Sequence, residues 1–501
     1  MSLGCPKNLV DSEVMMGLLD RAGGELTARA EDAEILVVNT CSFIDSAKQE
    51  SVNTILEMVQ HKVANGGKAR RLIVAGCLVE RYRDEIRRNI PEVDAVVGTG
   101  ELEAILEAAG LSAPAAAAVG ANSPFNILVS RAASAVHQHS HPTEVGAQLE
   151  IAKASRAEGD LRERQGRFSR EHWDGATAAL PEYLYSDETP RILTTPRASA
   201  YIKIAEGCDH PCSFCIIPQL RGKFRSRRLE SIVAEAERLV AQGVREITLI
   251  GQDTTCWGED LGLKDGLATL LESLAVLPGL KWLRFLYAYP NKVTTRLLET
   301  MARHETIAKY LDVPLQHASP SVLKRMKRGG TPEVFLRLIE KARAVVPGIV
   351  LRSTFIVGFP GETEEDFRQL CDFVAAAKID WLGVFSYSDE EGAAAFELDA
   401  ALKVPKRTIE ARRRRLMRLQ QKISAKAKAA WVGREVDVLV EGESEETELL
   451  WQGRTALHAP EIDGKVLIND FGPHETLVPG TFYRAEITES HDYDVVARII
   501  E

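Results

Sequence analysis

Cys208, Cys212 and Cys215 stand in C-x3-C-x2-C spacing within Gly207-Cys208-Asp209-His210-Pro211-Cys212-Ser213-Phe214-Cys215. Three soft thiolates on one short loop suit an iron–sulfur cluster. Three ligands on a four-iron cube leave one iron open, and an open iron can bind a substrate. The alternative is a zinc knuckle that drafts His210 as the fourth ligand a structural zinc requires. The spacing weighs against it, because zinc sites usually pair their cysteines as C-x2-C. A second set is less obvious: Cys5, Cys41 and Cys77 are each 36 residues from the next. The alternative here is three unrelated buried cysteines, a common fate of free thiols. Cys371 reads as core on an amphipathic helix, and Cys256 follows a strand without an assigned role. Eight cysteines in 501 residues are too few for a disulfide scaffold, and their spacing looks like metal binding in a reducing cytosol.

The elements that must carry these thiols follow from the hydrophobic pattern. Residues 34–39, 71–75 and 94–97 read as buried strands, with helices at 45–63 and 80–89 between them. Alternating β and α implies a parallel sheet flanked by helices. Cys41 and Cys77 each follow one of these strands. Ser2-Leu3, before Cys5, reads as the tail of another, so a start upstream is expected. In a parallel sheet the crevice lies beyond the carboxyl ends of the strands, so the equal spacing delivers three thiols to one edge.

Residues 111–190 read as a linker or insertion, and His137, His139 and His141 inside it as solvated rather than metal-binding. Residues 191–428 alternate again. Strands are expected at 201–205, 246–250, 282–287, 310–313, 350–357 and 381–385, with helices at 229–241, 267–277, 294–303, 332–345 and 363–377. Six β/α units are fewer than a closed barrel's eight, so an open, partial barrel is expected, with its site at the C-terminal strand ends. The C-x3-C-x2-C loop follows its first strand. Residues 406–430 read as a basic amphipathic helix. Residues 429–501 carry short β-branched runs between Gly and Pro turns, the pattern of a small antiparallel, OB-like barrel. The fold class is therefore α/β with a small β-barrel at the end. No run of 18 apolar residues is present, and the N-terminus is not a secretory signal.

C-x3-C-x2-C with an aromatic before its last cysteine, on the first βα loop of a partial barrel, resembles the radical S-adenosylmethionine superfamily. The resemblance implies that the open iron chelates S-adenosylmethionine, and that an electron splits it to methionine and a carbon radical that abstracts hydrogen. It also implies that Gln252 and Asp253 after the second strand, and Gly358, Gly361 and Glu362 after the fifth, line the S-adenosylmethionine site. An N-terminal three-cysteine domain, a radical barrel and a terminal small β domain together resemble the methylthiotransferases, over nearly the whole chain except roughly 111–185. That family turns a C–H bond into C–S–CH3. It uses two 4Fe–4S clusters, here on Cys5, Cys41 and Cys77 and on Cys208, Cys212 and Cys215. S-adenosylmethionine serves as both methyl donor and radical source.

One branch of the family modifies an adenosine in transfer RNA, the other an aspartate β-carbon on ribosomal protein S12. The fragments running from Ser2 to Glu13 and from Ile216 to Lys223 resemble the ribosomal-protein branch. Charge gives an independent test. The net charge is −10. Residues 431–501 carry 5 basic and 16 acidic residues, a balance of −11, whereas 406–430 carries 10 basic and one acidic residue. An RNA-binding β domain should be basic. An acidic one repels tRNA and attracts a basic protein, or merely solubilises the chain. The basic helix pulls the other way: Arg412–Arg415 could touch ribosomal RNA, pack on acidic neighbours, or be solvated. The expected partners are thus ribosomal protein S12, free or on the small subunit, and a reducing electron donor in the cytoplasm, with no membrane and tRNA disfavoured.

Overall fold

The computed structural model describes residues 1–111 and 180–501, apart from 445, 446, 448 and 449. His137, His139, His141 and most of the expected linker lie outside the described residues. Packing divides the chain into two units. The first is Met1–Thr194 with Ile216–Lys223 and Glu390–Gly392; the second is Thr195–Cys215, Phe224–Asp389 and Ala393–Glu501.

The first unit is built on a parallel sheet of β1 (Ile35–Thr40), β2 (Arg71–Gly76) and β3 (Ala95–Val97), in that order. Val38, Leu72 and Val74 are fully buried in a cluster with Ile55 and Ile86 from flanking helices. Burying each such side chain is worth about 1.5–3 kcal/mol. Ser2 forms a parallel bridge with Asn39, so the expected strand tail runs along β1. The helix Asp45–Val59 is shorter than expected, and Cys77–Asn89 begins at the cysteine itself rather than after it. A helix at Pro6–Arg21 was not expected. Its period is blurred because Asn8, Asp11, Ser12 and Glu13 are buried beside Val10 and Val14. Glu13 is spent on Arg191, at 2.6 Å, and on the Thr194 amide, at 2.7 Å.

In the second unit, the first barrel strand is β4 (Ser199–Lys203), followed by a small ribbon of β5 (Ala205–Glu206) and β6 (Arg225–Ser226). β4 pairs in parallel with β7 (Glu246–Ile250), and β7 with β8 (Trp282–Phe285). A second parallel sheet holds β9 (Tyr310–Asp312), β10 (Val350–Val357) and β11 (Trp381–Ser386). A Leu283–Ile307 bridge joins the two sheets. These are the six expected strands. β8 stops at Phe285 because Tyr287 takes a left-handed φ of 63°. Thr363 caps the helix Glu364–Ala377 through a reciprocal capping box with Asp366.

The C-terminal strands β12 (Glu435–Glu443), β13 (Trp451–Arg454), β14 (Val466–Asp470), β15 (Phe482–Ser490) and β16 (Val495–Ile499) close into a five-stranded barrel. It is antiparallel except between β14 and β16, which run parallel. β13 was not expected, because Trp-Gln-Gly-Arg carries no β-branched residue. The barrel seats on the starting ends of the parallel strands of this unit. Arg454 donates to Glu246, the first residue of β7, at 2.7 and 3.1 Å, and Arg284 donates to the same carboxylate at 3.1 Å. Burial alone would raise the Glu246 carboxyl; the two guanidiniums hold it at about 2. The opposite ends of the strands are thereby left to the cysteine loop.

Candidate metal centres

The parallel register aligns Thr40 with Gly76. Cys41 and Cys77 therefore leave neighbouring strands side by side, and the Ser2–Asn39 bridge brings Cys5 alongside. The thiols are close enough to oppose one another's ionisation. Burial, and then Cys77 and Cys5, push the Cys41 thiol far up. Burial also raises Cys77, against the pull of Arg221. Two of the three sit at helix N-termini, Cys5 as the cap of Pro6–Arg21 and Cys77 as the first residue of its helix. Amide dipoles there favour thiolate. The preceding glycines are required. Gly4 (φ 89°) would put a Cβ 2.7 Å from that of Cys41, and Gly76 (φ 93°) would put one 2.3 Å from Asn39 Oδ1.

Hydrogen bonds fix the surrounding backbone. Asn8 Nδ2 donates to the carbonyls of Leu3 and Thr40, Asn39 Nδ2 to that of Asn8, and Ser42 to that of Cys77. Arg221, fully buried, donates to Asp11 at 2.6 Å, to Asn8 Oδ1, and to Cys77 Sγ at 3.4 Å. Asn8, Asp11 and Arg221 entered the reading of the sequence only within the two fragments that resemble the ribosomal-protein branch, without a role at the site. Their signal was polar residues on a helix face that must be buried, and the first arginine of a basic run after the second cysteine motif.

In the second unit, Cys208, Cys212 and Cys215 follow β5 in a half-buried loop. Burial, with Asp253 and Cys212 nearby, pushes the Cys208 thiol up to about 11. Arg328 donates to Cys212 Sγ at 3.7 Å. His210 does not complete a four-ligand set with these cysteines. Its Nε2 lies 2.6 Å from Asp253 Oδ2, and its ring stacks on Tyr289 at 3.8 Å. Arg328 also covers the Tyr289 ring, at 4.0 Å. Among the described residues, the one trio of possible ligands drawn within 4.8 Å is His210, Asp253 and Cys256, which hydrogen-bond among themselves. Neither cysteine triad is pinched so tightly. Tetrahedral zinc, with Zn–S near about 2.3 Å, would hold its sulfurs about 3.8 Å apart. The wider triads fit a cluster whose thiolates sit on different irons, and a positive cluster relieves thiols that burial keeps from ionising.

The other expected cofactor residues lie at the C-terminal ends of β7 and β10. Asp253 is engaged by His210, by Thr255 and by the Cys256 thiol at 3.1 Å. Burial, and then that neighbour, drive the Cys256 thiol far up. Gln252 donates to Glu206 at 2.6 Å while its Oε1 is buried without a partner. An unfilled acceptor there fits a ligand that donates to it. Gly358 and Gly361 both have left-handed φ, 81° and 79°. Glu362 turns back on its own loop: it accepts from the amides of Gly358 and Phe359 at 2.6 and 3.3 Å and from Arg412 at 3.0 Å. Cys371, half-buried on Glu364–Ala377, has a thiol raised by burial.

Residues 202–374 match the Radical SAM superfamily, 1–98 the uncharacterized protein family UPF0004, and 432–500 the TRAM domain. The ribosomal protein uS12 methylthiotransferase RimO of Koribacter versatilis is 67% identical over 500 residues, covering 100% of this chain and 95% of that protein. Those of Solibacter usitatus and Pelotomaculum thermopropionicum are 54% and 44% identical, each over 100% of this chain and 94% and 98% of theirs. The chain belongs to the RimO family. As a RimO-family member it is a radical S-adenosylmethionine methylthiotransferase that works with 4Fe–4S clusters and S-adenosylmethionine. Among the described residues no helix is long and apolar enough to cross a membrane.

Proposed function

We propose that the chain adds a methylthio group to the β-carbon of an aspartate in ribosomal protein S12. The observation that carries this reading is end-to-end similarity to RimO enzymes, 67% identical over 500 residues in one of them, and the two cysteine triads support it. When bound, the clusters and S-adenosylmethionine supply the electron transfer, hydrogen abstraction, sulfur and methyl group. The chain's own residues hold and orient these groups. Cys208, Cys212 and Cys215 hold one cluster and Cys5, Cys41 and Cys77 the other. Gln252 and Asp253 face S-adenosylmethionine, with support from the unpartnered Gln252 Oε1. Gly358 and Gly361 let the loop after β10 turn beside it, where a Cβ would strike Ile409 and Arg325, and Glu362 fixes that turn through two amides. A low-potential donor delivers the electron, and the reaction takes place in the cytoplasm, where S12 is made.

The transfer-RNA alternative finds no support among these relatives, all named for the ribosomal protein. Intact-mass analysis of S12 from a deletion strain, against wild type, tests the reading. Loss of the mass gained when CH3S replaces a hydrogen, a net CH2S, is expected in the deletion strain; an unchanged S12 mass would reject the substrate.

A further inference from the structure

Arg221 is a cation that donates a hydrogen bond to a thiol of the N-terminal triad, that of Cys77, at 3.4 Å. It comes from the short helix Ile217–Arg221 and is 2% exposed. Its geometry is over-determined. One nitrogen is tied to Asp11 Oδ2 at 2.6 Å; the other serves both Asn8 Oδ1 and Cys77 Sγ. Asn8 is itself locked by the carbonyls of Leu3 and Thr40, and Thr99 holds the adjoining Leu220 carbonyl at 2.7 Å. A fork held this firmly in a dry site keeps its aim on one sulfur. Hydrogen bonds to ligating sulfurs, and the local net charge, set the potential of an iron–sulfur cluster. A guanidinium is the suitable donor because it keeps its charge when buried.

We propose that Arg221 is a positioning residue for the N-terminal cluster: pinned by Asp11 and Asn8, its guanidinium donates to the Cys77 thiolate and raises the cluster's reduction potential. The proposal rests on reading Cys5, Cys41 and Cys77 as cluster ligands. That reading is checked separately. Their Ala replacements lose about half the iron and sulfide of the reconstituted chain; full retention would sink the reading itself, whatever Arg221 does.

The test is an anaerobic redox titration of the full chain, followed by electron paramagnetic resonance, with Cys208, Cys212 and Cys215 replaced by Ala so that one cluster remains. R221Q should move the midpoint to more negative potential, because a positive donor is gone while Asp11 stays. D11N should move it the other way, because the guanidinium then loses its counter-charge. R221K, charged but without the fork, should fall between R221Q and the parent. Opposite signs for the partners of one ion pair are not produced by a purely structural tie. Unchanged midpoints at full loading would overturn the proposal. So would cluster loss in both R221Q and R221K together with a lowered melting temperature, which would make Arg221 a fold residue only. Cluster loss in R221Q at unchanged melting temperature, with loading kept in R221K, would support it.

Discussion

At Gly76 one added methyl group should disturb the backbone that carries Cys77, a proposed cluster ligand. A Cβ there would lie 2.3 Å from Asn39 Oδ1 and 2.6 Å from the Thr40 carbonyl, at a φ of 93°. Gly76→Ala should cost about 1–3 kcal/mol of strain. It should also lower iron in the N-terminal site while sparing the barrel site, as iron and sulfide analysis would show. The two triads separate by chemistry as well. Replacing Cys208, Cys212 and Cys215 with Ala should abolish 5′-deoxyadenosine formation; retained cleavage would refute their assignment. Replacing Cys5, Cys41 and Cys77 should keep that cleavage and stop methylthiolation of S12. The adjacency of Cys5, Cys41 and Cys77 could be read from spacing because a parallel sheet converts equal spacing into adjacency. Asn8, Asp11 and Arg221 could not. Their role is to satisfy one another around a thiol, and pairwise satisfaction between positions 8 and 221 leaves no periodic mark.

Among the elements, the six barrel strands and the Thr363-capped helix were readable because their apolar runs and caps are local. Pro6–Arg21 and β13 were not. The first hides its apolar face behind buried polar residues, and the second contributes an arginine rather than an apolar run. That arginine, Arg454, fixes the C-terminal barrel to β7 through Glu246. Arg454→Met leaves Glu246 buried with less compensation and should destabilise the chain by about 3–5 kcal/mol, read as a lower melting temperature at neutral pH. The pH dependence has a definite sign. The folded Glu246 carboxyl sits at about 2 against an ordinary 4.5, so its contribution is present above about pH 4.5 and is lost as pH falls toward 2. Melting temperatures measured across that window should fall less steeply in Arg454→Met than in the parent. The basic helix Lys406–Ala429 spends part of its charge on the radical barrel: Arg412 pairs with Glu362 at 3.0 Å and Arg415 with Glu364 at 3.1 Å.

For the whole molecule, the acidic excess of 431–501 divides in two. Glu441 and Asp463 are spent internally, on Arg454 at 2.5 Å and on Arg352 at 3.5 Å. Glu443, Glu475 and Glu489 are among those that face solvent. Exposed acids of this kind attract a basic protein chiefly through the rate of encounter. The triple substitution E443K/E475K/E489K should therefore slow association with S12 and flatten its dependence on salt, with little change in melting temperature; stopped-flow binding at two ionic strengths would show it.

The same seating has an optical consequence. Trp282 meets the Phe482 ring edge-on at 4.6 Å, and Trp381 donates its indole N–H to the Leu457 carbonyl at 3.0 Å. Both indoles are nearly dry and both touch the C-terminal barrel. Intrinsic fluorescence thus becomes a gauge of whether that barrel is in place: its release would wet both rings and move their emission to the red while the cysteine loop, at the other end of the strands, stays intact.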